Sequence, residues 1–283
     1  MTKKSTAVVS TSEMPPAIIL CGGKGTRLRD VSEILPKPMV PIGEQPIVWH
    51  IMRSYAAFGV NRFILCLGYK KEEFIDYFLN FHARATDITI RLGDHGKVTY
   101  HNNYQESDWE VTLAHTGEDT MTGGRVLQAS RHLKSSDKEF FLTYGDGVSD
   151  VNITELLNYH RTLKKLLTLT AVHPEGRFGE LRVTEDGSIE GFTEKPARTE
   201  GVINGGFMVV KTGFLKKYLN PDEDAFFEQA PLRQAVEDGQ VAAYEHTGFW
   251  QCMDTPREYQ LLNDLWKTGE APWTKYWGGG GNK

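Results

Sequence analysis

The chain has 283 residues, 40% of them hydrophobic and 24% charged, and a formal net charge of −5. Those are ordinary globular values, and the length suits one large α/β domain with a smaller appendage. The acidic balance argues against a nucleic-acid or anionic-membrane surface, which would be basic, and no apolar run is long enough to span a bilayer.

Residues 1–16 are polar and Pro-terminated, lack the apolar core of a signal peptide, and read as a disordered leader. An apolar run at 17–21 between Pro16 and Gly22 predicts a buried parallel strand. Gly22, Gly23 and Gly25 follow, permitting positive φ and close approach of another molecule. The free backbone N–H groups of such a turn, beside Lys24 and Arg27, suit phosphate oxygens. Two common phosphate motifs fail here. A dinucleotide fingerprint counted from Gly23 and Gly25 would need glycine where Leu28 stands, and no Gly-Lys-Ser/Thr follows a four-residue gap. An ordinary strand-to-helix turn explains one or two glycines but not Lys24, Arg27 and Lys37 gathered around them.

Helical spacing at 47–58 stops at Gly59, a buried strand is predicted at 62–69, and a helix at 71–81. This β-α-β-α order predicts a parallel sheet with helices on both faces and ligands at the carboxyl ends of strands, where residues 22–27 fall. Short β-like pieces occupy 88–91, 98–101 and 109–116, and Gly123-Gly124-Arg125 opens a helix through 133. The strand predicted at 139–144 ends in Gly145-Asp146-Gly147, where Asp146 is placed equally well to hold a metal or to form an Asp-Gly turn. A helix at 152–163 and a strand at 166–173 precede a hairpin at 178–195 turning at Asp186-Gly187. The strand at 202–210 is broken by two glycines beside Asn204, an amide suited to sugar hydroxyls or to bracing a bulge. Residues 225–237 read as helical around Pro231. Thr255-Pro256 starts a last helix, and Asp254 beside it serves as a cap partner or as a second metal carboxylate. Cys21, Cys66 and Cys252 contain no Cys-x-x-Cys pair; Cys21 and Cys66 read as small buried thiols, which suits a reducing cytoplasm. Residues 274–283 read as a flexible tail, with the low-complexity glycine run at 278–281.

The glycine turn with Gly-Thr-Arg and the following Leu35-Pro36-Lys37-Pro38-Met39 resembles the signature of the sugar-nucleotidyltransferases. Met121-Thr122-Gly123-Gly124-Arg125, Tyr144-Gly145-Asp146-Gly147, Gly176-Arg177-Phe178-Gly179, Glu194-Lys195-Pro196, Ile203-Asn204-Gly205-Gly206-Phe207 and Met253-Asp254-Thr255 sharpen the match. They resemble, in order, the glucose-1-phosphate cytidylyltransferases, from about residue 17 to 273. Met-Thr-Gly-Gly-Arg is the distinguishing element; Glu110, His115 and Cys252 stand where that family leads one to expect Asn, Asp and Pro.

The resemblance implies a Rossmann-like, mostly parallel mixed sheet flanked by helices, with a small antiparallel β portion that binds the sugar. Residues 17–273 would form a single nucleotidyltransferase domain, its nucleotide half at about 17–150 and its sugar-phosphate half at about 151–273. It implies catalytic Arg27 and Lys37, and nucleotide contacts from Leu20, Gly22, Gly23, Gly25, Thr26, Thr122, Gly123 and Arg125. Gly179, Glu194, Lys195 and Asn204 would meet the sugar phosphate, and Asp146 and Asp254 would hold Mg²⁺. The implied reaction makes CDP-glucose and pyrophosphate from CTP and glucose 1-phosphate, in a cytoplasmic homo-oligomer without nucleic-acid or membrane partners. UTP or dTTP in place of CTP, and a non-catalytic regulatory subunit, are the alternatives; the latter would be expected to have lost Arg27, Lys37 or a metal Asp, and all are present.

Overall fold

Alternation along the first strand sets up two hydrophobic cores. In β1 (Ala17–Leu20) every residue is buried. Ala17 and Ile19 pack into one cluster while Ile18 and Leu20 pack into the other, as the period-2 pleat requires. The protein is seen here in a computed structural model that describes residues 14–23, 35–93, 96–101, 104–174, 180–184, 188–193, 201–221 and 224–278.

The strands that join β1 are β2 (Arg62–Leu67), β3 (Glu110–His115), β4 (Glu139–Tyr144), β5 (Leu167–Val172), β6 (Met208–Lys211) and β7 (Val241–His246). In space they run β7-β5-β6-β4-β1-β2-β3, with Ile203–Asn204 extending the line of β6 along β5. The run β4-β1-β2-β3 is parallel, β4-β6-β5 is antiparallel, and β5-β7 is parallel again. The sheet is therefore mixed, as expected. Parallel strands buried on both faces account for the near-continuous apolar runs read from the sequence.

Helices α1 (Ile47–Ala56), α2 (Lys71–Leu79), α4 (Ile153–Thr162) and α7 (Pro256–Lys267) send buried apolar side chains to the Ile19 side. Helices α3 (Thr122–Ala129), α5 (Thr212–Tyr218) and α6 (Ala230–Glu237) cover the Ile18 side. At the foot of β2 the nearly buried Arg62 pairs with Asp137 through two bonds of 2.9 Å, which satisfies a charge that would otherwise be costly to bury. Antiparallel ribbons lie outside the main sheet. One joins Ile88–Arg91 to Lys97–Tyr100, and another joins Glu180–Val183 to Ile189–Thr193, whose expected turn at Asp186-Gly187 lies outside the described residues. Among the described residues no helix is long and apolar enough to cross a membrane.

Several expectations are corrected. The helix expected over 225–237 begins only at Ala230. Pro231 sits in its first turn, where a missing N–H is harmless and its fixed φ suits the start of a helix. Residues 224–229 instead cross to the start of α3. The short helix α5 follows β6 directly and had no clear periodic signal. Glycine at 22 and 23 does not take positive φ; Gly206 does, and so does the buried Phe207 beside it, at φ 43°, where the β6 line breaks. The tail expected from 274 does not include Trp277, which is buried with its ring 5.5 Å from Trp49. Of the leader, Pro15 and Pro16 are buried, and the Pro16 carbonyl accepts from Phe141 N; residues 1–13 lie outside the described residues.

Candidate active site

A cleft of about 520 Å³ opens at the carboxyl ends of the adjacent parallel strands β1 and β4. Leu20, Gly22 and Gly23 border it from β1, and Tyr144, Gly145 and Asp146 from β4. Gly145 N donates to Leu20 O at 3.0 Å, and a Cβ on Gly145 would lie 2.9 Å from that oxygen and 3.0 Å from the Pro38 ring. The glycine is required by this close approach, and it lets the Pro-Lys-Pro segment lie over the strand ends.

Pro36 and Pro38 hold the 3₁₀ turn Lys37–Met39, closed by Met39 N donating to Pro36 O. This turn points Lys37 Nζ at two carboxylates, 2.6 Å from Asp146 Oδ2 and bonded also to Asp254 Oδ1. Burial works to lower the Lys37 pKa, but the Asp146 and Asp254 carboxylates outweigh it, so the ammonium is held above its ordinary value. The aspartates come together through backbone pairing. Trp250–Cys252 runs antiparallel to Gly147–Ser149, and Met253 N donates to Asp146 O at 2.8 Å.

The neighbouring side chains cap the last helix without the Asp254 carboxylate. Thr255 Oγ1 accepts from Glu258 N, and Glu258 Oε2 accepts from Thr255 N and Asp254 N, a complete capping box. That leaves the Asp254 carboxylate turned toward Lys37. Two hard anionic oxygen donors thus converge on one cationic point, a partial ligand set that suits a magnesium ion completed by phosphate oxygens. Among the described residues no group of three or more His, Cys, Asp or Glu could hold a metal unaided.

Arg125 is 5% exposed, so a solvated surface role is ruled out. Its terminal nitrogens donate to the carbonyls of Gly22, Leu67, Gly117 and Glu118 and to Thr116 Oγ1. Its guanidinium borders the cleft but is committed to shaping the turn after β1 and the loop before α3. A Cβ on Gly22 would stand 2.1 Å from Arg125 Nη1, which is why glycine is needed there.

The start of α3 is likewise engaged. Met121 N donates to Asp224 Oδ1, Gly123 N to Ala225 O, and Thr122 Oγ1 to Glu228 Oε2. Asn204 braces the broken strand, its Oδ1 accepting from Gly206 N, and its Nδ2 lies 3.4 Å from the Tyr144 hydroxyl. The structure therefore gathers Leu20, Gly22, Gly23, Lys37, Thr122, Arg125, Asp146 and Asp254 around one cleft, with Gly123 and Asn204 immediately behind its walls. Gly25, Thr26, Arg27, Gly179, Glu194 and Lys195 lie outside the described residues.

Residues 16–264 match the family model described as nucleotidyl transferase. The chain belongs to the nucleotidyl transferase family. Over 261 residues, 92% of its length, this nucleotidyl transferase is 41% identical to glucose-1-phosphate cytidylyltransferase of Salmonella typhi and spans 99% of that protein. It is 31% identical to the bifunctional protein GlmU of Methanococcus maripaludis, over 88% of this chain and 53% of that one. Among solved structures, HddC from Yersinia pseudotuberculosis superposes with a TM-score of 0.63 at 24% identity, over 89% of this chain and 99% of that one, a likeness of fold.

The parts played by two residues of this nucleotidyl transferase, Tyr144 on the cleft wall and Glu228 behind it, were not visible in the sequence. Tyr144 was read as the end of a strand and as part of the Tyr-Gly-Asp-Gly motif, with no role of its own, although its hydroxyl joins the polar wall. Glu228 fell in a stretch read as helix; a carboxylate in an irregular segment carries no periodic signal.

Proposed function

We propose that this nucleotidyl transferase makes CDP-glucose and pyrophosphate from CTP and α-D-glucose 1-phosphate. The observation that carries the reading is the convergence of Asp146 and Asp254 on Lys37 at the strand ends of β1 and β4. The identity to the cytidylyltransferase of Salmonella typhi across nearly the whole chain supports the choice of substrates.

A sugar-phosphate oxygen attacks the α-phosphorus of CTP, a new P–O bond forms, and the bond to the bridging oxygen breaks with its electron pair leaving on pyrophosphate. A phosphate nucleophile is already anionic and needs no general base, so catalysis is positioning and charge neutralisation. Lys37, held charged beside the carboxylates, supplies a cation for a phosphate oxygen. Asp146 and Asp254 would hold Mg²⁺, which when bound neutralises phosphate charge. By resemblance, Arg27 meets the departing pyrophosphate, and Glu194, Lys195 and Gly179 meet the glucose 1-phosphate.

Residues from about 17 to 150 serve the nucleotide, and those from about 151 to 273 serve the sugar phosphate and return Asp254 to the metal. The enzyme acts as a cytoplasmic homo-oligomer. The deciding experiment is release of pyrophosphate by purified protein given glucose 1-phosphate with CTP, UTP or dTTP in turn. A clear CTP preference in kcat/KM supports the proposal. Equal use of all three overturns the cytidylyl assignment, and no release with any of them overturns the catalytic one.

A further inference from the structure

Glu228 lies between two hydroxyls that belong to different walls of the cleft. Its Oε2 accepts from Thr122 Oγ1 at 2.6 Å and its Oε1 accepts from Tyr144 Oη at 2.7 Å. Both lengths are those of strong hydroxyl–carboxylate bonds. Thr122 opens α3 and is held from its other side by Phe227 N at 2.9 Å. Tyr144 ends β4, and its oxygen also receives Asn204 Nδ2 at 3.4 Å.

We propose that Glu228 is a positioning residue that locks the nucleotide loop and the sugar-phosphate wall into one geometry, so that each substrate meets a site already set for the other. The assignment of the two walls to the two substrates rests on the cytidylyltransferase reading above. Glu228 reaches the cleft only through Thr122 and Tyr144, and through Tyr144 it reaches Asn204. Each hydroxyl could rotate or turn to water if the carboxylate were absent; with both of its oxygens engaged, neither can move without giving up a bond. The segment 224–229 reinforces this, because Asp224 and Ala225 fasten Met121 and Gly123 in the same loop. What Glu228 fixes is contact to the remote ends of both substrates rather than to the reacting phosphorus. Binding of that kind is felt about equally in ground and transition states and is expressed in KM.

The test is steady-state kinetics of Glu228→Gln and Glu228→Ala, together with Thr122→Val, Tyr144→Phe and the two doubles with Glu228→Gln, alongside thermal melts. Glutamine can accept from only one hydroxyl, so Glu228→Gln should raise both the CTP and the glucose 1-phosphate KM by about fivefold, the scale of one lost hydrogen bond, with kcat falling less. Glu228→Ala should raise both further. The double at the hydroxyl that glutamine no longer accepts should be no worse than about twofold beyond its worse single, because the same bond is lost in both, and only the double at the other hydroxyl should be additive. A rise in KM for one substrate alone overturns the bridge. Additivity in both doubles, or a lowered melting temperature with both KM values unchanged, shows a structural role only and overturns the positioning one. Wild-type protein inactive with every nucleotide would overturn the functional reading and this inference with it, whereas an active wild type with unaltered KM values in the variants overturns this inference alone.

Discussion

The Lys37 ammonium lies 2.6 Å from Oδ2 of Asp146, a residue 109 positions away along the chain. Asp254, 217 positions from Lys37, closes on the same nitrogen. A lysine shared by two carboxylates at the ends of parallel strands brings together the three charges that the proposed reaction calls for: one cation that would meet a phosphate and two anions that would hold a divalent ion.

Asp146→Asn and Asp254→Asn should each lower turnover by roughly 10²- to 10³-fold, the scale of losing one preorganised electrostatic contact. Either change leaves Lys37 one carboxylate partner, so far-ultraviolet circular dichroism and melting should stay near wild type. Raising Mg²⁺ should recover part of the activity where binding alone is weakened. Near-normal rates in both variants at limiting Mg²⁺ would remove the pair from the metal site.

Lys37→Met gives a readout independent of turnover. Without the ammonium the two carboxylates face each other, and their repulsion should make the variant less stable than wild type at pH 8. On the proposed reading, Mg²⁺ would bind the folded state where the carboxylates converge and would compete with Lys37 for them in the wild type. Added Mg²⁺ should therefore raise the melting temperature of Lys37→Met by several degrees more than that of wild type. Equal shifts in the two proteins would mean that Mg²⁺ does not bind between Asp146 and Asp254.

A pH dependence of stability follows from His50, which is fully buried among Trp49, Trp266, Trp273 and Trp277. Burial lowers its pKa from 6.5 to about 4, against weaker opposing hydrogen bonds to the carbonyls of Ile42 and Gln45. The unfolded chain takes up this proton near 6.5 and the folded chain only near 4. Its stabilising contribution is thus complete above about 6.5 and lost as pH falls toward 4. Urea unfolding between pH 7.5 and 4.5 should show wild type losing up to about 3 kcal/mol more than His50→Gln over that range. Parallel pH profiles would mean that His50 is protonated while folded.

The parts of this architecture that could be read in advance are those governed by local pattern. Glu139–Tyr144 and Arg62–Leu67 are apolar runs bounded by turn residues, and Thr255-Pro256 starts α7 with a complete cap. Asp146 and Asp254 stood out because they follow strands. Arg125, expected to contact the nucleotide, also binds acceptors at 22, 67, 116, 117 and 118, which could not be read in advance because the sheet and not sequence neighbourhood assembles them. Glu228 was missed for the same reason: Thr122 and Tyr144 reach it from 106 and 84 residues away. Tertiary assembly decides such polar contacts, and no periodicity announces them.

The relation of Arg125 to Gly22 allows a sharper test than either residue alone. Adding a methyl group at Gly22 would place it 2.1 Å from Nη1 and 2.3 Å from Cζ of Arg125. The guanidinium cannot swing aside cheaply, because doing so would abandon carbonyls at the edge of the cleft and leave them unpaired. Gly22→Ala should therefore destabilise the protein by about 1–3 kcal/mol, the usual cost of overpacking. Arg125→Ala should also destabilise it, since the carbonyls of Gly22, Gly117 and Glu118 lose their donor. In the Arg125→Ala background the Gly22→Ala clash is gone, so the double variant should be more stable than the sum of the singles predicts, by about 1–2 kcal/mol. Additive losses would show that the guanidinium moves freely. The same variants separate shaping the nucleotide site from reading the base. If Arg125 acts by holding the turn after β1 against the loop before α3, Arg125→Ala lowers kcat/KM for CTP and for UTP by similar factors. A loss confined to CTP would show instead that the guanidinium leaves its carbonyls to contact cytosine.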